Sequence, residues 1–382
     1  MTNKLSRRNF LSTAAAAPAV PGFFLTTAAA APPAPEVLTS TRIVTFLPPP
    51  KRVRIATIRT SFAAPATMFS AADIQHIESQ GRDVKMTVPE SMEELNALLP
   101  EVDVVIGAIN AEMLAKAKNL KWMQHTEAGM ERALFPELVK SPVVVTNMAR
   151  MFAPAISETA IGMLLALTRG LNNYFIPEFP QRKFFPRRQI REARDVLVEV
   201  DGMTMGVAGM GGIGSATARR AHYGFNMRIL GTDAKPMVKP IFVDTLREPE
   251  WLMEMVPQVD VLVNAVPATK ETKEMFNESV FRAMKKTAYF LSLSRGANVD
   301  QEALVRALKE GRIAGAGLDV VTPEPLPPES SLWDCPNTIL TCHTSGFSAQ
   351  RRVRQMGMIV ENVRRYANGL PLMNVVDKEL GY

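Results

Sequence analysis

Short apolar runs alternate with longer amphipathic stretches along most of this chain, which predicts a protein of mixed strands and helices. In its first half we predict strands at 53–58, 102–107, 120–124 and 143–146, and helices at 71–80 and 111–118. Strands that are separated by helices return to one sheet through right-handed crossovers and lie parallel. The pattern therefore predicts an α/β fold on a largely parallel sheet, with helices on both faces.

A second α/β unit follows the first. We predict a helix over 156–171 and strands at 203–208 and 227–232, and within 260–269, 288–300, 315–327 and 337–346. The helix is apolar on most of its circumference, which suits burial between domains or at a subunit interface. The segment 172–196, rich in Pro, Arg and Phe, interrupts the pattern. Two interpretations of this segment remain open: an arm that contacts a partner subunit, or a surface loop with a few anchored aromatic residues.

The composition is that of a globular protein of 382 residues, with 47% hydrophobic and 21% charged residues. The net charge is +6, but the first 30 residues hold three basic side chains and no acidic one, which leaves +3 for the rest. A nucleic-acid partner is therefore not expected. Cys335 and Cys342 are too few for a disulfide framework and are not spaced as a metal site, so no metal is expected. A disulfide between them in an oxidising compartment is the alternative to two buried thiols, which we expect because the pair lies on either side of a predicted strand.

The first 30 residues have the order of an export signal. Arg7 and Arg8 lie in a polar Ser-Arg-Arg-x-Phe-Leu stretch, an uncharged Ala-rich run follows, and Ala28 and Ala30 form an A-x-A cleavage site. The stretch resembles a twin-arginine (Tat) signal, so we expect a periplasmic protein that engages the Tat export machinery. If the signal is not functional, the protein is cytoplasmic.

A membrane anchor is the alternative for the same run, which is about long enough to span a bilayer. Pro18 and Pro21 disfavour a stable spanning helix, so we expect cleavage and no stable membrane span afterwards. The proline-rich stretch 31–51 predicts an extended linker.

A glycine-rich turn, Gly209-Met-Gly-Gly-Ile-Gly214, follows the strand 203–208 and precedes a helix predicted over 215–222. Strand before and helix after is the context in which G-x-G-x-x-G binds a dinucleotide. Gly209 would permit the tight turn, Gly211 would let the backbone approach a pyrophosphate, and Gly214 would allow close helix–strand packing. The alternative is an ordinary glycine-rich turn without a ligand.

Asp233 lies nineteen residues beyond Gly214, at the end of the next predicted strand. A carboxylate there accepts hydrogen bonds from the ribose hydroxyls and repels a 2′-phosphate, which favours NAD over NADP. Lys235, two residues on, weakens that preference.

Arg295, Glu324 and His343 each follow an apolar strand of the second unit. The carboxyl ends of parallel strands meet at one edge, so the three groups are predicted to lie together where an open α/β sheet binds its ligand. A guanidinium, a carboxylate and an imidazole suit hydride chemistry on a carbonyl acid. The alternatives are a structural ion pair for Arg295 and Glu324 and a hydrogen-bonded core histidine for His343.

At these residues the chain resembles the D-isomer-specific 2-hydroxyacid dehydrogenases. The matching motifs are Ser-Arg-Gly-Ala-Asn-Val-Asp at 294–300, Pro-Glu-Pro-Leu-Pro at 323–327 and Thr-Cys-His-Thr-Ser-Gly at 341–346. The resemblance implies that Arg295 binds the carboxylate and 2-oxo group of the substrate. It also implies that His343 is the acid/base and that Glu324 orients the imidazole ring.

The resemblance further implies the fold, the domains and the remaining site residues. It predicts a flavodoxin-like substrate domain (52–147 and 344–382) and a Rossmann NAD-binding domain (148–343), both doubly wound parallel sheets, with a cleft between them. The substrate loop contributes Ala128 and Gly129. The predicted cofactor-binding residues are Gly209, Gly211, Gly212, Ile213, Gly214, Asp233, Val266, Pro267, Thr272, Ser294, Arg295, Asp319 and His343.

These expectations describe an NAD-dependent oxidoreductase that interconverts a small 2-oxo acid, glyoxylate- or hydroxypyruvate-like or larger, and its D-2-hydroxy acid, working as a homodimer through the helix 156–171. An NAD-binding sensor or interaction protein without turnover is the alternative, which the intact Arg295, Glu324 and His343 disfavour. Glu127 departs from the family pattern, since a carboxylate in the substrate loop repels an anionic substrate unless it points away or pairs with Arg150.

Overall fold

A computed structural model of the protein describes residues 47–58, 69–183 and 197–382. The predicted signal (1–30), residues 31–46 of the predicted linker, and residues 184–196 of the proline- and arginine-rich segment lie outside these ranges. Among the residues that are described, no helix is long and apolar enough to cross a membrane.

The first part of the chain forms a five-stranded parallel sheet with the order β2-β1-β3-β4-β5. Its strands are β1 (Val53–Thr57), β2 (Val84–Thr87), β3 (Val104–Ile106), β4 (Trp122–Gln124) and β5 (Val144–Thr146). The helices between them are α1 (Ala71–Glu78), α2 (Met92–Leu98), α3 (Ala111–Lys116) and α4 (Pro136–Lys140). Strands β3, β4 and β5 are wholly buried, as expected for a parallel sheet covered on both faces.

The second part forms a seven-stranded parallel sheet with the order β12-β11-β10-β9-β6-β7-β8. Its strands are β6 (Thr204–Ala208), β7 (Arg228–Thr232), β8 (Thr245–Arg247), β9 (Val261–Asn264), β10 (Tyr289–Ser292), β11 (Gly315–Leu318) and β12 (Thr338–Leu340). Its helices are α5 (Ala153–Thr168), α6 (Gly212–Phe225), α7 (Leu252–Met255), α8 (Glu278–Ala283) and α9 (Gln301–Lys309). The predicted α/β class with two parallel sheets is confirmed.

The last helix, α10 (Arg351–Ala367), returns to the first sheet. Its buried residues Ile359, Val363 and Tyr366 belong to the same apolar cluster as Val53 of β1, and the ring of Tyr366 lies 5.5 Å from that of Trp122 in β4. The first sheet is therefore completed by residues from the end of the chain.

Two predicted helices begin earlier than the sequence pattern indicated. Helix α5 starts at Ala153, with a proline in its first turn, and ends at Thr168. Helix α6 starts at Gly212, directly on the glycine-rich turn, with Gly211 as its N-cap. The apolar face of α5 packs on the second sheet, because Met163 and Leu167 share a cluster with Val207 of β6 and Leu291 of β10.

The two cysteines are not joined by a disulfide. Cys335 is a buried free thiol, as predicted, but Cys342 is an exposed one, so the prediction of a second buried thiol is wrong. Cys342 lies in the loop between β12 and α10, where the chain has left the core.

Candidate active site

The glycine-rich turn connects β6 to α6. Gly209 has a φ of +88°, and a Cβ there would lie 2.7 Å from the carbonyl oxygen of Ala265. Gly211, the N-cap of α6, has no neighbouring atom within 4 Å of the place where a Cβ would be. The open space at Gly211 and the free amides of a 14-residue helix suit an anionic pyrophosphate, so the turn fits a dinucleotide.

Asp233 lies at the end of β7 and is half-buried. Its carboxylate accepts hydrogen bonds from the backbone N–H groups of Met210 and Lys235, both at 2.8 Å. Burial raises the pKa of this carboxyl group, while the two N–H donors oppose the rise. The first bond ties Asp233 to the glycine-rich turn.

Lys235 has partners within the chain. Its Nζ donates to the main-chain carbonyl of Tyr382 at 3.1 Å and lies 3.9 Å from the centre of the Tyr382 ring. Burial lowers the pKa of this ammonium group, and the charges of Asp377 and Asp233 oppose the fall. Tyr382 therefore reaches the region where the sequence predicts the adenosine ribose.

The ends of β9 and β10 are joined by a hydrogen-bond network among predicted cofactor residues. The hydroxyl of Ser294 donates to the carbonyl of Val266, and that of Thr272 donates to the carbonyl of Pro267 at 2.6 Å. Asn298, which was not predicted, donates to the Pro267 carbonyl at 3.2 Å, and its buried Oδ1 has no hydrogen-bond partner among the described residues. The structure brings these residues together, and their contact with a cofactor stays a prediction.

His343 and Glu324 form a hydrogen-bonded pair. Nδ1 of the imidazole lies 2.8 Å from Oε2 of Glu324, and the side chains are 47% and 36% exposed. The other carboxylate oxygen, Oε1, accepts from the N–H of Val321 at 3.1 Å, which fixes the carboxylate. Because Nδ1 is engaged, Nε2 is the imidazole nitrogen that can face a substrate.

Asp319 holds the loop that carries His343. The carboxylate is 2% exposed and accepts hydrogen bonds from the hydroxyl of Thr341 at 2.6 Å, the N–H of Thr344 at 3.0 Å, and both the N–H and the hydroxyl of Ser345. The carbonyl oxygen of Asp319 accepts from the N–H of His343 at 2.8 Å. The sequence predicted a cofactor contact here, and the structure shows in addition a clamp on the His343 loop.

Arg295 follows β10 and reaches the first domain. Its Nε donates to Oε1 of Glu131 at 2.9 Å, and its Nη1 donates to the carbonyl of Ser294 at 2.8 Å. Nη2 lies against Gly129 of the predicted substrate loop, so close that a Cβ on residue 129 would stand 1.9 Å away. Arg295 thus lies beside the predicted loop residues, whereas Glu131 was not predicted, because no local pattern marks a partner so distant in the sequence.

The substrate loop is held by polar contacts at several points. Its carbonyls at Thr126 and Ala128 accept from Gln355 at 3.2 Å and Asn147 at 2.8 Å. The carboxylate of Glu127 pairs with Arg351 of α10 at 3.1 Å. The negative charge of Glu127 is therefore compensated by Arg351, and not by Arg150 as the sequence suggested.

His125 begins this loop and is 9% exposed. Its backbone N–H donates to the carbonyl of Thr146 at 2.7 Å, and its Nδ1 has no hydrogen-bond partner in the described part of the chain. Burial lowers the pKa of the imidazole, against the charges of Glu127 and Glu131. Burial thus favours the neutral form of the His125 imidazole.

A dinucleotide-type turn and a cluster of polar groups meet at the carboxyl ends of a parallel sheet, which is where α/β dehydrogenases bind their ligands. The fold and the site thus define a two-domain α/β protein with an NAD-binding domain. Residues 161–345 match the family described as "D-isomer specific 2-hydroxyacid dehydrogenase, NAD binding domain".

Curated relatives cover most of the chain. The glyoxylate reductase of Korarchaeum cryptofilum is 32% identical over 308 residues, which are 78% of this chain and 87% of the relative. The glyoxylate reductase of Thermococcus kodakarensis is 34% identical over 283 residues, which are 73% of this chain and 83% of the relative. This chain therefore belongs to the D-isomer specific 2-hydroxyacid dehydrogenases and is an oxidoreductase, which confirms the prediction of an enzyme.

Solved structures with the same fold support the assignment. A D-isomer specific 2-hydroxyacid dehydrogenase family protein from Aeromonas salmonicida is 27% identical, with a TM-score of 0.66 over 86% of this chain and 99% of that one. An NADPH-dependent glyoxylate/hydroxypyruvate reductase from Sinorhizobium meliloti is 26% identical, with a TM-score of 0.65 over 86% and 98%.

Proposed function

We propose that this protein reduces a small 2-oxo acid to the D-2-hydroxy acid with NADH and catalyses the reverse oxidation with NAD. The observation that carries the proposal is the hydrogen-bonded pair of His343 and Glu324 at the edge of the sheet that also bears the glycine-rich turn. Relatives named glyoxylate reductase support glyoxylate or a hydroxypyruvate-like acid as the first substrates to try.

His343 is the acid/base in this proposal. Glu324 engages Nδ1, so Nε2 donates a proton to the 2-oxo oxygen during reduction and takes the hydroxyl proton during oxidation. Bound NADH supplies the hydride that C2 of the acid accepts. Arg295 binds the carboxylate and 2-oxo group together with the backbone amides of Ala128 and Gly129, because a guanidinium stays charged and offers several N–H donors.

The glycine-rich turn and Asp233 would hold the cofactor. Asp233 accepts from ribose hydroxyls and repels a 2′-phosphate, so we propose a preference for NADH over NADPH. Lys235 would otherwise attract that phosphate, but its ammonium group is engaged by Tyr382. The structural neighbour from Sinorhizobium meliloti is NADPH-dependent, so the preference of this protein between NADH and NADPH has to be measured.

The decisive experiment follows NADH oxidation at 340 nm with glyoxylate, hydroxypyruvate and a branched 2-oxo acid, and repeats it with NADPH. We expect turnover of at least one acid and a higher kcat/KM with NADH. The matched variant His343→Ala should lose about a hundredfold or more in kcat, the contribution of acid/base catalysis, while NADH binding by fluorescence is unchanged. NADH binding without turnover of any 2-oxo acid contradicts the proposal.

Export and dimerisation belong to the proposal as well. The Ser-Arg-Arg-x-Phe-Leu stretch supports Tat export to the periplasm with cleavage of residues 1–30, tested by fractionating cells that carry the native chain or a variant with Lys at Arg7 and Arg8. Identical cytoplasmic location of both forms contradicts export. The partly exposed apolar residues Ile161 and Leu165 of α5 support a homodimer, tested by light scattering, where the mass of one chain contradicts it.

A further inference from the structure

Glu131 and Arg295 form an ion pair between the two domains. Glu131 follows the substrate loop of the first domain, whereas Arg295 follows β10 of the second, 164 residues along the chain. Nε of the guanidinium lies 2.9 Å from Oε1 of the carboxylate, and the side chains are 34% and 38% exposed. The pair is thus partly screened by water, and its charge alone contributes little to folding stability.

The pair determines which donors of Arg295 remain for a ligand. Nε is engaged by Glu131 and Nη1 by the carbonyl of Ser294, while Nη2 has no hydrogen-bond partner among the described residues. Nη2 lies over Gly129, where a Cβ would be 1.9 Å from it and 2.5 Å from Oε2 of Glu131. The guanidinium plane is therefore fixed on two sides, with its remaining donors beside the backbone of the substrate loop.

We infer that Glu131 is a positioning residue that orients Arg295 toward the carboxylate of the substrate. The inference rests on the proposed function, in which Arg295 binds that carboxylate. Arg295 has a long side chain with many rotamers, and one charge-assisted bond at Nε removes much of that freedom before the substrate arrives. Glu131 also carries a negative charge near an anionic ligand, so its benefit comes from orientation and its charge opposes binding.

Orientation and charge are separable by substitution. Glu131→Gln keeps an oxygen acceptor for Nε and removes the charge, whereas Glu131→Ala removes both. Since a charge-assisted hydrogen bond is equivalent to about a tenfold change in an equilibrium constant, we expect Glu131→Ala to raise KM for the 2-oxo acid about tenfold. Glu131→Gln should stay within about threefold of wild type, and KM for NADH should not change in either variant.

The experiment measures KM and kcat of the full chain with the 2-oxo acid that wild type reduces best. Binding of oxamate, an unreactive analogue, to the NADH-loaded protein by calorimetry reports the same effect without turnover. The matched control is Glu137→Ala, which removes an exposed carboxylate from the first turn of α4 and should leave both readouts unchanged. Melting temperatures check that the variants fold.

Two results overturn the inference. In the first, Glu131→Ala binds oxamate and substrate as wild type does. In the second, Glu131→Gln is as impaired as Glu131→Ala, which shows that charge rather than orientation matters. A wild-type protein that binds oxamate with NADH but turns over no 2-oxo acid refutes the proposed function alone, because the oxamate affinities of the variants still test Glu131.

Discussion

Asparagine in place of Asp319 tests how the protein holds its proposed acid/base in position. The Asp319 carboxylate is buried and accepts hydrogen bonds from Thr341, Thr344 and Ser345 on the loop after β12. That loop gives His343 a φ of +55°, a left-handed conformation that costs a residue with a Cβ about 1 kcal/mol or more. The conformation of His343 should therefore depend on the carboxylate at the end of the neighbouring strand, β11.

The expected loss of stability in Asp319→Asn follows from the hydrogen bonds that asparagine cannot make. Its amide oxygen can replace Oδ1, which shares the N–H of Ser345 with Oδ2, each at 3.2 Å. Its NH2 group would take the place of Oδ2, which accepts from that N–H and from the Ser345 hydroxyl, and an NH2 group cannot accept from either. A hydrogen bond to a charged group contributes about 1.5 to 3 kcal/mol, and replacing the carboxylate with a neutral amide weakens each bond that the remaining oxygen accepts. We expect a loss of about 2 to 4 kcal/mol, which lowers Tm by roughly 5 to 10 °C. A displacement of the imidazole by about 1 Å lowers kcat about a hundredfold.

Thermal unfolding by circular dichroism and steady-state NADH oxidation measure the two effects. The matched control is Glu324→Gln, which alters a partly exposed partner of the same histidine and should lower kcat while changing stability by less than about 1 kcal/mol. The reasoning is refuted if Asp319→Asn has the Tm and kcat of wild type and only a raised KM for NADH. That outcome would leave the carboxylate with the cofactor role that the sequence predicts.

Two further predictions concern the cofactor turn and the last helix. Gly214→Ala places a Cβ 1.9 Å from the carbonyl oxygen of Gly209. NADH binding, measured by fluorescence, should therefore weaken at least about tenfold, the equivalent of about 1.4 kcal/mol. The control Gly224→Ala has open space around the new Cβ on the same helix and should bind NADH normally. Arg364 and Arg365 lower the pKa of Glu361 to about 2. The ion pairs of Glu361 with the two arginines therefore stabilise the fold at pH values above the ordinary carboxyl pKa. In urea unfolding at pH 7, Glu361→Gln should lower the free energy of unfolding by at most about 1 kcal/mol. This difference from wild type should vanish as the pH falls toward 2.

The sequence predicts the sheets well where strands are buried on both faces. Runs such as that of β3 and β9 are continuous and apolar, and no helical periodicity competes with them. Strand β2 was missed because it lies at a sheet edge and alternates buried and exposed residues over only four positions. Helix α10 was missed because its arginines mask a narrow apolar face, which is recognisable only once the first sheet is there to cover it.

The candidate site likewise contains residues that the sequence predicts and residues that it does not. Arg295, Glu324 and His343 are predictable because each follows its own strand, and parallel strands deliver their ends to one edge. Glu131 and the clamp of Asp319 are not predictable, because they depend on which side chains meet after the chain has folded. Local sequence specifies the reactive groups, and tertiary packing specifies the groups that hold them.

The charges around the substrate loop bear on which acids the site can bind. The two carboxylates of this loop region that form ion pairs are Glu127, with Arg351, and Glu131, with Arg295. In the proposed function, an anionic substrate would meet a guanidinium that Glu131 already engages at Nε, rather than a bare Arg295. Binding of the smallest 2-oxo acids should be weak as a result, because their carboxylate supplies nearly all of their affinity. A longer apolar substituent adds burial without competing for that charge, so KM should fall along a series of 2-oxo acids before the size of the cleft limits it.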